Sequence, residues 1–419
     1  MTQTILLGAH QVVTCRGPAR ARHGAEMSDL EVLTNAAVLI DGARIADVGP
    51  TATLRARYPE AKVHEVSGVI LPGLIDSHTH AVFGAARLED HERRARGVGY
   101  KDIAAAGGGI LSSVRDVRTR DREELGRMLR GRLDTLLAYG TTTVEVKSGY
   151  GLTVADEVKQ LEVIERSLNQ GPKTISTFLG AHEVPLEFRE RPDEYVDLVI
   201  REMLPTVHKR RLATFCDVFC EPGVFTPEQS ERVLLAAKGL GLGLKLHADE
   251  LDGSGGAELA ARVGAVSADH LAAISDDGIQ SLARSDTVAV LLPGTMMFLG
   301  RSGNAPARRL IDSGAAVALA TDFNPGSSPG VSLPLMTTLA VSQLRMLPAE
   351  AITAVTVNGA AAVGLARRVG QIAPGFSADV IVIAARDWRE LPYWYGANII
   401  SEVWVDGLPC HLRLGSLNY

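Results

Sequence analysis

A short apolar run followed by a longer helical segment recurs eight times through this chain of 419 residues. The apolar runs, in chain order, are VILPGLIDSH, TTTVEVKSGYG, TISTFLGAHE, TFCDVFCEPG, GLGLKLHADE, AVSADHL, VAVLLPG and AVALATDFNPG. Helical segments such as REELGRMLRGRLDTLLAYG and PEQSERVLLAAKGLG separate most of them. Alternating strands and helices predict an α/β protein with a parallel sheet covered by helices. A doubly wound open sheet also alternates, but eight near-regular units favour closure into a TIM-type (β/α)8 barrel.

The two ends of the chain have a different texture, with short strands separated by Gly, Pro and charged turns. TILLGAHQVVTC and AAVLIDGARIADVG near the start are matched by GQIAPGFSADVIVIAA and IISEVWVDG near the end. We therefore predict a small β-sandwich domain built from both chain termini. Its predicted parts are residues 1–68 and 357–419, and the catalytic barrel is predicted over residues 69–356. The polar segment 16–30 is predicted to be a surface loop.

Polar residues are concentrated where the predicted barrel strands end, and a parallel barrel carries its chemistry at those ends. Five of the eleven histidines of the chain stand there. The polar residues, in strand order, are His78, His80, Lys147, Tyr150, His182, Glu221, His247, Asp249, Glu250, His270 and Asp322. The seventh strand ends in LLPGT and offers nothing ionisable. Chance scatter would not easily produce this distribution, so the mouth of the barrel is the candidate active site.

Two of these histidines lie in the stretch DSHTH. Residues i and i+2 of a strand point to the same face, so His78 and His80 project side by side. Alone, such a pair is equally well explained by solvated surface polarity. Together with His247 and Asp322 it supplies three imidazole nitrogens and one carboxylate oxygen, a ligand set for zinc or a similar divalent ion. Because the fourth strand ends without a lysine that could bridge two ions, we predict one divalent ion per subunit, Zn²⁺ or Fe, with manganese equally suited to these ligands.

Composition limits the partners and the compartment. A formal net charge of −6 and a pI of about 6.0 argue against a nucleic-acid groove or an anionic membrane as partner. No signal peptide is apparent, and no apolar run reaches the roughly 18 residues of a membrane span. Four cysteines in so long a chain do not form a disulfide framework, which predicts free thiols in a reducing cytoplasm. We therefore expect a cytoplasmic protein with a small-molecule substrate, no nucleic acid and no membrane.

The residues at the strand ends resemble the pattern of the amidohydrolase superfamily. The resemblance lies in the His-x-His pair, the histidines after the fifth and sixth strands and the Asp after the eighth. Longer strings resemble a branch that opens cyclic amides: VEVKSGYGL, FLGAHEVP, LHADEL, SADHL and ATDFNPGS. The resemblance spans essentially the whole chain. It implies metal-dependent hydrolysis of 4-imidazolone-5-propanoate to N-formimidoyl-L-glutamate, the third step of L-histidine degradation, by a homodimer.

The resemblance also implies how the substrate is bound. Its propionate would meet Arg87, whose planar guanidinium offers a two-pronged donor to a carboxylate. Its ring carries N–H and carbonyl groups that polar side chains at the barrel mouth would bind. The other residues that the resemblance assigns to substrate binding are Tyr150, His182, Glu250, Asn324, Gly326 and Ser327.

For catalysis, the resemblance implies that Asp322 and His270 transfer the proton of the attacking water, while Glu250 exchanges a proton with the ring nitrogen or the leaving amide. Several of these residues also have a purely structural interpretation, which remains open. The turn NPGS is a common loop sequence, and a single His182 or His270 would more often be a satisfied buried histidine. A deaminase or another cyclic-amide hydrolase would use the same ligands, and an inactive barrel scaffold is the alternative from a different class. The complete set of five strand-end histidines argues against the scaffold.

Overall fold

The computed structural model describes residues 3–99, 102–103, 106–168, 171–301, 303–413 and 417. Within these residues no helix is both long and apolar enough to cross a membrane. The strands described there are β1 Thr4–Leu7, β2 Gln11–Val13, β3 Val32–Leu33, β4 Ala36–Asp41, β5 Arg44–Pro50, β6 Lys62–Glu65, β7 Val69–Pro72, β8 Leu74–Asp76, β9 Thr141–Lys147, β10 Lys173–Ala181, β11 Phe215–Cys220, β12 Gly243–Ala248, β13 Ser267–His270, β14 Val288–Leu291, β15 Val317–Leu319, β16 Val380–Ile383, β17 Ile400–Val405 and β18 Leu408–Pro409.

The α-helices of the described residues lie mainly between the strands of the predicted barrel. They are α1 Thr51–Arg57, α2 Leu88–Ala95, α3 Ile110–Thr119, α4 Arg122–Ala138, α5 Val154–Arg166, α6 Pro192–Leu198, α7 Leu204–Arg210, α8 Pro227–Gly239, α9 Gly256–Val263, α10 Asp276–Ala283, α11 Pro293–Phe298, α12 Ala307–Asp312, α13 Leu333–Gln343, α14 Pro348–Ala354 and α15 Val357–Ala362. A π-helical turn, Val199–Met203, joins α6 to α7.

Strands β8 to β15 form the barrel, and each pairs in parallel with the next in chain order. Hydrogen bonds beyond the first and last strands close it: His80 N donates to Phe323 O (2.8 Å) and Asp322 N donates to His78 O (3.1 Å). The predicted (β/α)8 barrel is therefore confirmed. Its closure sets the His-x-His pair directly beside the residue that follows the eighth strand.

The segments singled out as helical form helices, and α4 shows why. Asp121 caps its first turn by accepting a hydrogen bond from Glu124 N (2.8 Å), which satisfies a backbone donor that has no partner within the helix. Leu129, Leu133 and Leu136 recur at helical spacing and are buried. The helix thus turns a largely apolar face towards the barrel. Arg132 is buried on the helix as well, and its guanidinium donates to Ala81 O, Phe83 O and Gly84 O.

Strands from both chain ends build two further sheets, with strand orders β5-β4-β1-β6 and β18-β17-β16-β7-β2-β3. Their facing sides share an apolar core that includes Leu6, Val38, Ile70 and Val382. The predicted small β-sandwich domain from both termini is confirmed, because its core needs side chains from the start and the end of the chain.

Two elements lie across the predicted domain limits. Strand β7, which opens the predicted barrel at residue 69, pairs instead with β2 and β16 of the small domain, so the barrel begins at Leu74. The run VILPGLID reads as one apolar strand because no polar residue marks the change of sheet at Gly73. Helix α15, which the predicted limits assign to the small domain, packs against β8, β14 and β15 of the barrel.

The prediction of a surface loop over residues 16–30 is wrong in part. Arg22 and Met27 are buried against the barrel. Arg22 N donates to Asn358 Oδ1 (2.7 Å), and Met27 O accepts from Thr353 Oγ1 (2.7 Å). A polar segment can be buried when each polar group finds such a partner, and those partners are more than 300 positions away along the chain.

Candidate metal centre and active site

Three imidazoles and one carboxylate converge at the carboxyl ends of the barrel strands. The Nε2 atoms of His78 and His80 are 3.2 Å apart, and those of His80 and His247 are 3.3 Å apart. Asp322 Oδ1 lies 3.4 Å from His78 Nε2 and 3.5 Å from His80 Nε2. All four side chains are buried. The residues predicted as metal ligands therefore form one cluster.

The far nitrogens of two of these rings show that the near nitrogens fit a cation. His78 Nδ1 lies 2.6 Å from Asp269 Oδ2, and His247 Nδ1 lies 3.0 Å from Asp217 Oδ1. Because a carboxylate accepts hydrogen bonds, each Nδ1 carries the proton and each Nε2 presents a lone pair to the cluster. Lone pairs directed at one another repel unless a cation lies between them. A tetrahedral ion with bonds of about 2.0–2.1 Å holds its ligand atoms about 3.4 Å apart, close to the separations found here.

His270 lies close to the same cluster. One nitrogen each of His78, His247 and His270 lies within 4.8 Å of the others, so His78 belongs to two possible ligand groups, the second with His80 and Asp322. Among the described residues, His270 Nε2 has no hydrogen-bond partner; it is buried and lies 3.5 Å from Glu250 Oε2. Burial lowers the pKa of His270 well below its ordinary value and raises the pKa of Glu250 well above its ordinary value. Burial thus keeps the His270 ring neutral and favours the protonated form of Glu250, which suits the exchange of a proton.

Left-handed backbone marks the ends of the fifth, sixth and eighth barrel strands. The φ angles are +51° at Asp249, +82° at His270 and +52° at Asp322. Such angles in residues other than glycine cost of order 1–3 kcal/mol each and are often found at functional sites. The two carboxylate oxygens of Asp322 have different partners. Oδ2 accepts a hydrogen bond from Thr295 Oγ1 (2.7 Å), and Oδ1 faces the imidazoles. Burial raises the pKa of Asp322 to about 6.

Sequence reasoning missed three residues that support this cluster. Thr295 follows the seventh strand, where the sequence shows nothing ionisable, and its hydroxyl is the group that binds Asp322. Asp217 and Asp269, which orient two of the histidines, lie within β11 and β13 rather than after them. A single acid inside an apolar strand, as in TFCDVFC, is the signal that could have identified Asp217.

Arg87 lies at the rim of the site. Its Nε donates to Ser113 Oγ (2.9 Å), and its guanidinium carbon lies 5.8 Å from the ring centroid of Tyr150. Gly326 packs against it, since a Cβ added to Gly326 would lie 2.3 Å from Arg87 Nη1. Gly326 therefore makes room for the guanidinium.

The loop 148–152 after β9 carries Tyr150 and is held by one buried carboxylate. Glu157, from α5, accepts hydrogen bonds from Gly149 N (3.1 Å), Gly151 N (2.8 Å) and Leu152 N (2.8 Å). Tyr150 itself is buried. Sequence reasoning missed Glu157, which fixes the loop without reaching the site.

The same loop orients His182. Its Nδ1 lies 2.9 Å from Gly149 O, which only accepts, so Nδ1 carries the proton and Nε2 remains an acceptor. Burial lowers the pKa of His182 to about 3 and keeps the ring neutral. Gly149 has a φ of +108°, and a Cβ there would lie 2.9 Å from His182 Nδ1, so this close approach requires glycine.

The turn after Asp322 is built around Asn324. Its Nδ2 donates to Asp322 O (2.7 Å) and Ser327 Oγ (2.9 Å), and its Oδ1 accepts from the backbone of Gly326 and Ser327 (both 2.8 Å). The amide is thus engaged within the turn and holds the shape of the chain next to the metal cluster.

A cleft opens above these groups. Its lining residues are His80, Arg87, Ile110, Tyr150, His182, Phe219, His247, Glu250, His270, Asp322, Asn324 and Ser327. Of the residues predicted for the site, only His78 and Gly326 are outside this lining, one within the metal cluster and the other against Arg87. Ile110 and Phe219 were not predicted and supply apolar walls.

Comparison with known proteins agrees with this geometry. A family model described as "Amidohydrolase family" matches residues 69–409, which is most of the chain. This chain belongs to the amidohydrolase family. Solved structures with the same fold include guanine deaminase of E. coli, at a TM-score of 0.74 and 16% identity over 99% of this chain and 100% of that one. An adenosine deaminase from Xanthomonas campestris with bound zinc has a TM-score of 0.69 and 20% identity over 99% of this chain and 94% of that one.

Closer relatives define the branch of the family. The imidazolonepropionase of Geobacillus kaustophilus (strain HTA426) is 49% identical over 402 residues, which cover 94% of this chain and 95% of that protein. The imidazolonepropionase of Parabacteroides distasonis is 48% identical over 97% of this chain and 98% of its own length. A second model, "Imidazolonepropionase-like composite domain, bacteria", matches residues 36–61. Within the amidohydrolases, the chain belongs to the imidazolonepropionases.

Proposed function

We propose that this chain hydrolyses the ring amide of 4-imidazolone-5-propanoate and releases N-formimidoyl-L-glutamate. Water adds to the ring carbonyl carbon, the carbon–nitrogen bond breaks, and the nitrogen leaves with a proton. The observation that carries the proposal is the meeting of two features in one cavity: the cluster of ligands for a cation and the guanidinium of Arg87 at its rim.

We propose one divalent ion per subunit, Zn²⁺ or Fe, held by His78, His80, His247 and Asp322. When bound, such an ion supplies Lewis acidity that favours ionisation of a water molecule near neutral pH and polarises a carbonyl oxygen. Asp217 and Asp269 keep two of the imidazoles in the tautomer that presents Nε2 to the ion.

Proton transfer falls to three side chains around the cluster. Burial raises the pKa of Asp322 to about 6. Because this pKa is close to neutral pH, the carboxylate is suited to accepting a proton. His270 lines the same cavity, and its Nε2 lies 3.5 Å from Glu250 Oε2. We assign the proton of the attacking water to Asp322 and His270, and the protonation of the leaving nitrogen to Glu250.

The remaining lining suits a flat ring with a carboxylate tail. Arg87 presents a planar fork to the propionate, and its contact with Ser113 limits how it turns. His182 Nε2 accepts a hydrogen bond from a ring N–H, and Tyr150 lies beside it at a ring separation of 5.3 Å. Asn324 and Ser327 complete the wall next to Asp322, and Gly326 between them packs against Arg87.

We further propose that the protein works as a homodimer in the cytoplasm. The cysteines Cys15, Cys216, Cys220 and Cys410 are free, which fits a reducing compartment. Light scattering on the purified protein tests the assembly: a mass near twice that of the 44.6 kDa chain supports the dimer, and a mass near 44.6 kDa contradicts it.

The activity is tested by incubating the purified, metal-analysed protein with 4-imidazolone-5-propanoate. The expected result is loss of the imidazolone absorbance with formation of N-formimidoyl-L-glutamate, abolished by a chelator and restored by Zn²⁺ or Fe²⁺. Release of ammonia with the ring intact would point to a deaminase instead. An absence of turnover in protein that contains its metal would contradict the proposed substrate.

A further inference from the structure

Buried charges lie inside the barrel beneath the histidines of the metal cluster. They share complete burial and come from four barrel strands: Glu145, Lys147, Asp217, Lys245 and Asp269. Removing an ion from water is costly unless a close partner compensates it. What these charges contact therefore indicates why they are there.

Lys147 connects to a proposed metal ligand through one carboxylate. Its Nζ donates to Glu145 Oε1 (2.9 Å) and lies 2.8 Å from Asp217 Oδ2. The other oxygen, Asp217 Oδ1, lies 3.0 Å from His247 Nδ1 and accepts from His247 N at 3.1 Å. The chain of contacts runs from the ammonium through the carboxylate to the imidazole.

We propose that Lys147 is a positioning residue of the metal centre, which fixes Asp217 and, through it, the orientation and tautomer of His247. The inference rests on the proposed metal site. Lys147 is fully buried and reaches His247 through Asp217.

Removal of the Lys147 ammonium should lower the affinity of the site for its metal, for an electrostatic reason. Without it, the buried Asp217 carboxylate loses the cation 2.8 Å from its Oδ2 atom and is no longer held in place. A rotated Asp217 no longer accepts well from His247 Nδ1. Loss of such an outer contact typically lowers metal affinity by about 10–100-fold.

The barrel contains a matched control. Lys245 is also a fully buried lysine. The Nζ atoms of Lys245 and Lys147 both lie 3.9 Å from Asp269 Oδ2. The close partners of Lys245 differ, since it donates to Ser267 Oγ (2.7 Å) and Ala362 O (3.0 Å). A difference between the two lysine variants therefore reports the close contacts of Lys147 with Asp217 and Glu145 rather than the loss of a buried lysine in general.

The test compares wild type, Lys147→Met and Lys245→Met as metal-free proteins. Each is titrated with Zn²⁺ against a chromophoric chelator, and thermal unfolding of the metal-free form is recorded separately. We expect zinc affinity to fall by about 10–100-fold in Lys147→Met and to stay close to wild type in Lys245→Met, although both lose thermal stability. Wild-type affinity in Lys147→Met, or equal losses in the two variants, would overturn the inference. Failure of wild type to bind zinc would overturn the metal site itself.

The double variant Lys147→Met/Asp217→Asn covers the case in which Lys147→Met does not fold, because it removes both charges of the pair together. If Lys147 acts through Asp217, the double variant should bind zinc as Asp217→Asn does, with no added loss. A further loss in the double variant beyond that of Asp217→Asn would show an action by another route and contradict the proposal.

Discussion

Arg87 is the residue that most sharply separates this proposed substrate from other cyclic amides. Its guanidinium lies at the rim of the cavity and donates a hydrogen bond to Ser113, which orients it. Gly326 has no side chain and leaves space for it. A carboxylate placed there would be bound in two-pronged fashion, whereas an amide without a carboxylate would gain nothing from it.

Arg87→Met should therefore lower kcat/KM for imidazolone propionate by an amount corresponding to about 2–5 kcal/mol, because the carboxylate is left unpaired. Arg87→Lys keeps the charge but loses the fork, and its loss should be smaller. The control is an imidazolone analogue without the carboxylate, which wild type and Arg87→Met should hydrolyse equally. Equal losses for both compounds would assign Arg87 a structural role instead.

His270 distinguishes proton transfer from metal binding, since it is close to both Glu250 and the ligand cluster. His270→Asn keeps a polar side chain without a group that titrates near neutral pH. We expect the metal content to be unchanged and kcat to fall by about 10²-fold or more. Atomic-emission analysis beside steady-state kinetics measures both. Loss of the metal would identify His270 as a ligand.

At the scale of elements, helix α5 fixes the loop that follows strand β9. Glu157 accepts three backbone hydrogen bonds from that loop, and the loop holds both Tyr150 and the ring of His182. If Tyr150 and His182 bind the substrate as proposed, the helix acts on substrate binding through this loop alone.

Glu157→Gln replaces one accepting oxygen with an N–H group that faces backbone N–H groups. The buried mismatch should cost about 1–3 kcal/mol of folding stability. We expect KM to rise more than kcat falls, with unchanged zinc affinity, because the loop binds the ring and not the ion. Thermal unfolding, kinetics and zinc titration measure the three quantities.

The control lies on the same helix. Glu162→Gln loses ion pairs with Arg122 and Arg210 near the surface, which are worth at most about 1 kcal/mol, and should leave KM unchanged. If Glu157→Gln altered zinc affinity as much as KM, the loop and the metal cluster would not be separable.

At the scale of the whole molecule, the metal joins strands that are distant in the chain. Its proposed ligands follow or belong to β8, β12 and β15, including the two strands at which the barrel closes. An ion that binds only the folded state stabilises it by about 4 kcal/mol when its free concentration is a thousand times Kd.

Chelation should therefore lower the Tm of wild type, because converging lone pairs and the Asp322 carboxylate then lack their cation. Readdition of Zn²⁺ should restore the Tm. His247→Ala removes one of four ligands, so chelator and Zn²⁺ should shift its Tm much less, and its activity should be lost with its metal. Calorimetry with and without chelator measures this; an unchanged Tm after verified metal loss from wild type would contradict the coupling.

The repeating pattern of the barrel, the sandwich from both termini and the residue types at each strand end can all be predicted from the order of the amino acids. These are local properties: periodicity depends on near neighbours, and the end of an apolar run marks the end of a strand. For that reason His78, His80, His247 and Asp322 were predictable as a set. The boundary between the small domain and the barrel, placed at residue 69, was harder to predict. Strands β7 and β8 form one apolar run in the sequence, and only their pairing with different sheets separates them.

Only the tertiary structure decided how those residues are oriented and supported. Asp217 and Asp269 lie inside apolar strands, and their partners are 30 and 191 positions away in the chain. The tautomers of the histidines, the room that Gly326 leaves for Arg87 and the link from Lys147 to His247 all depend on contacts made when the barrel closes. Such contacts follow from strand order and register around the whole barrel, which no local stretch of sequence encodes.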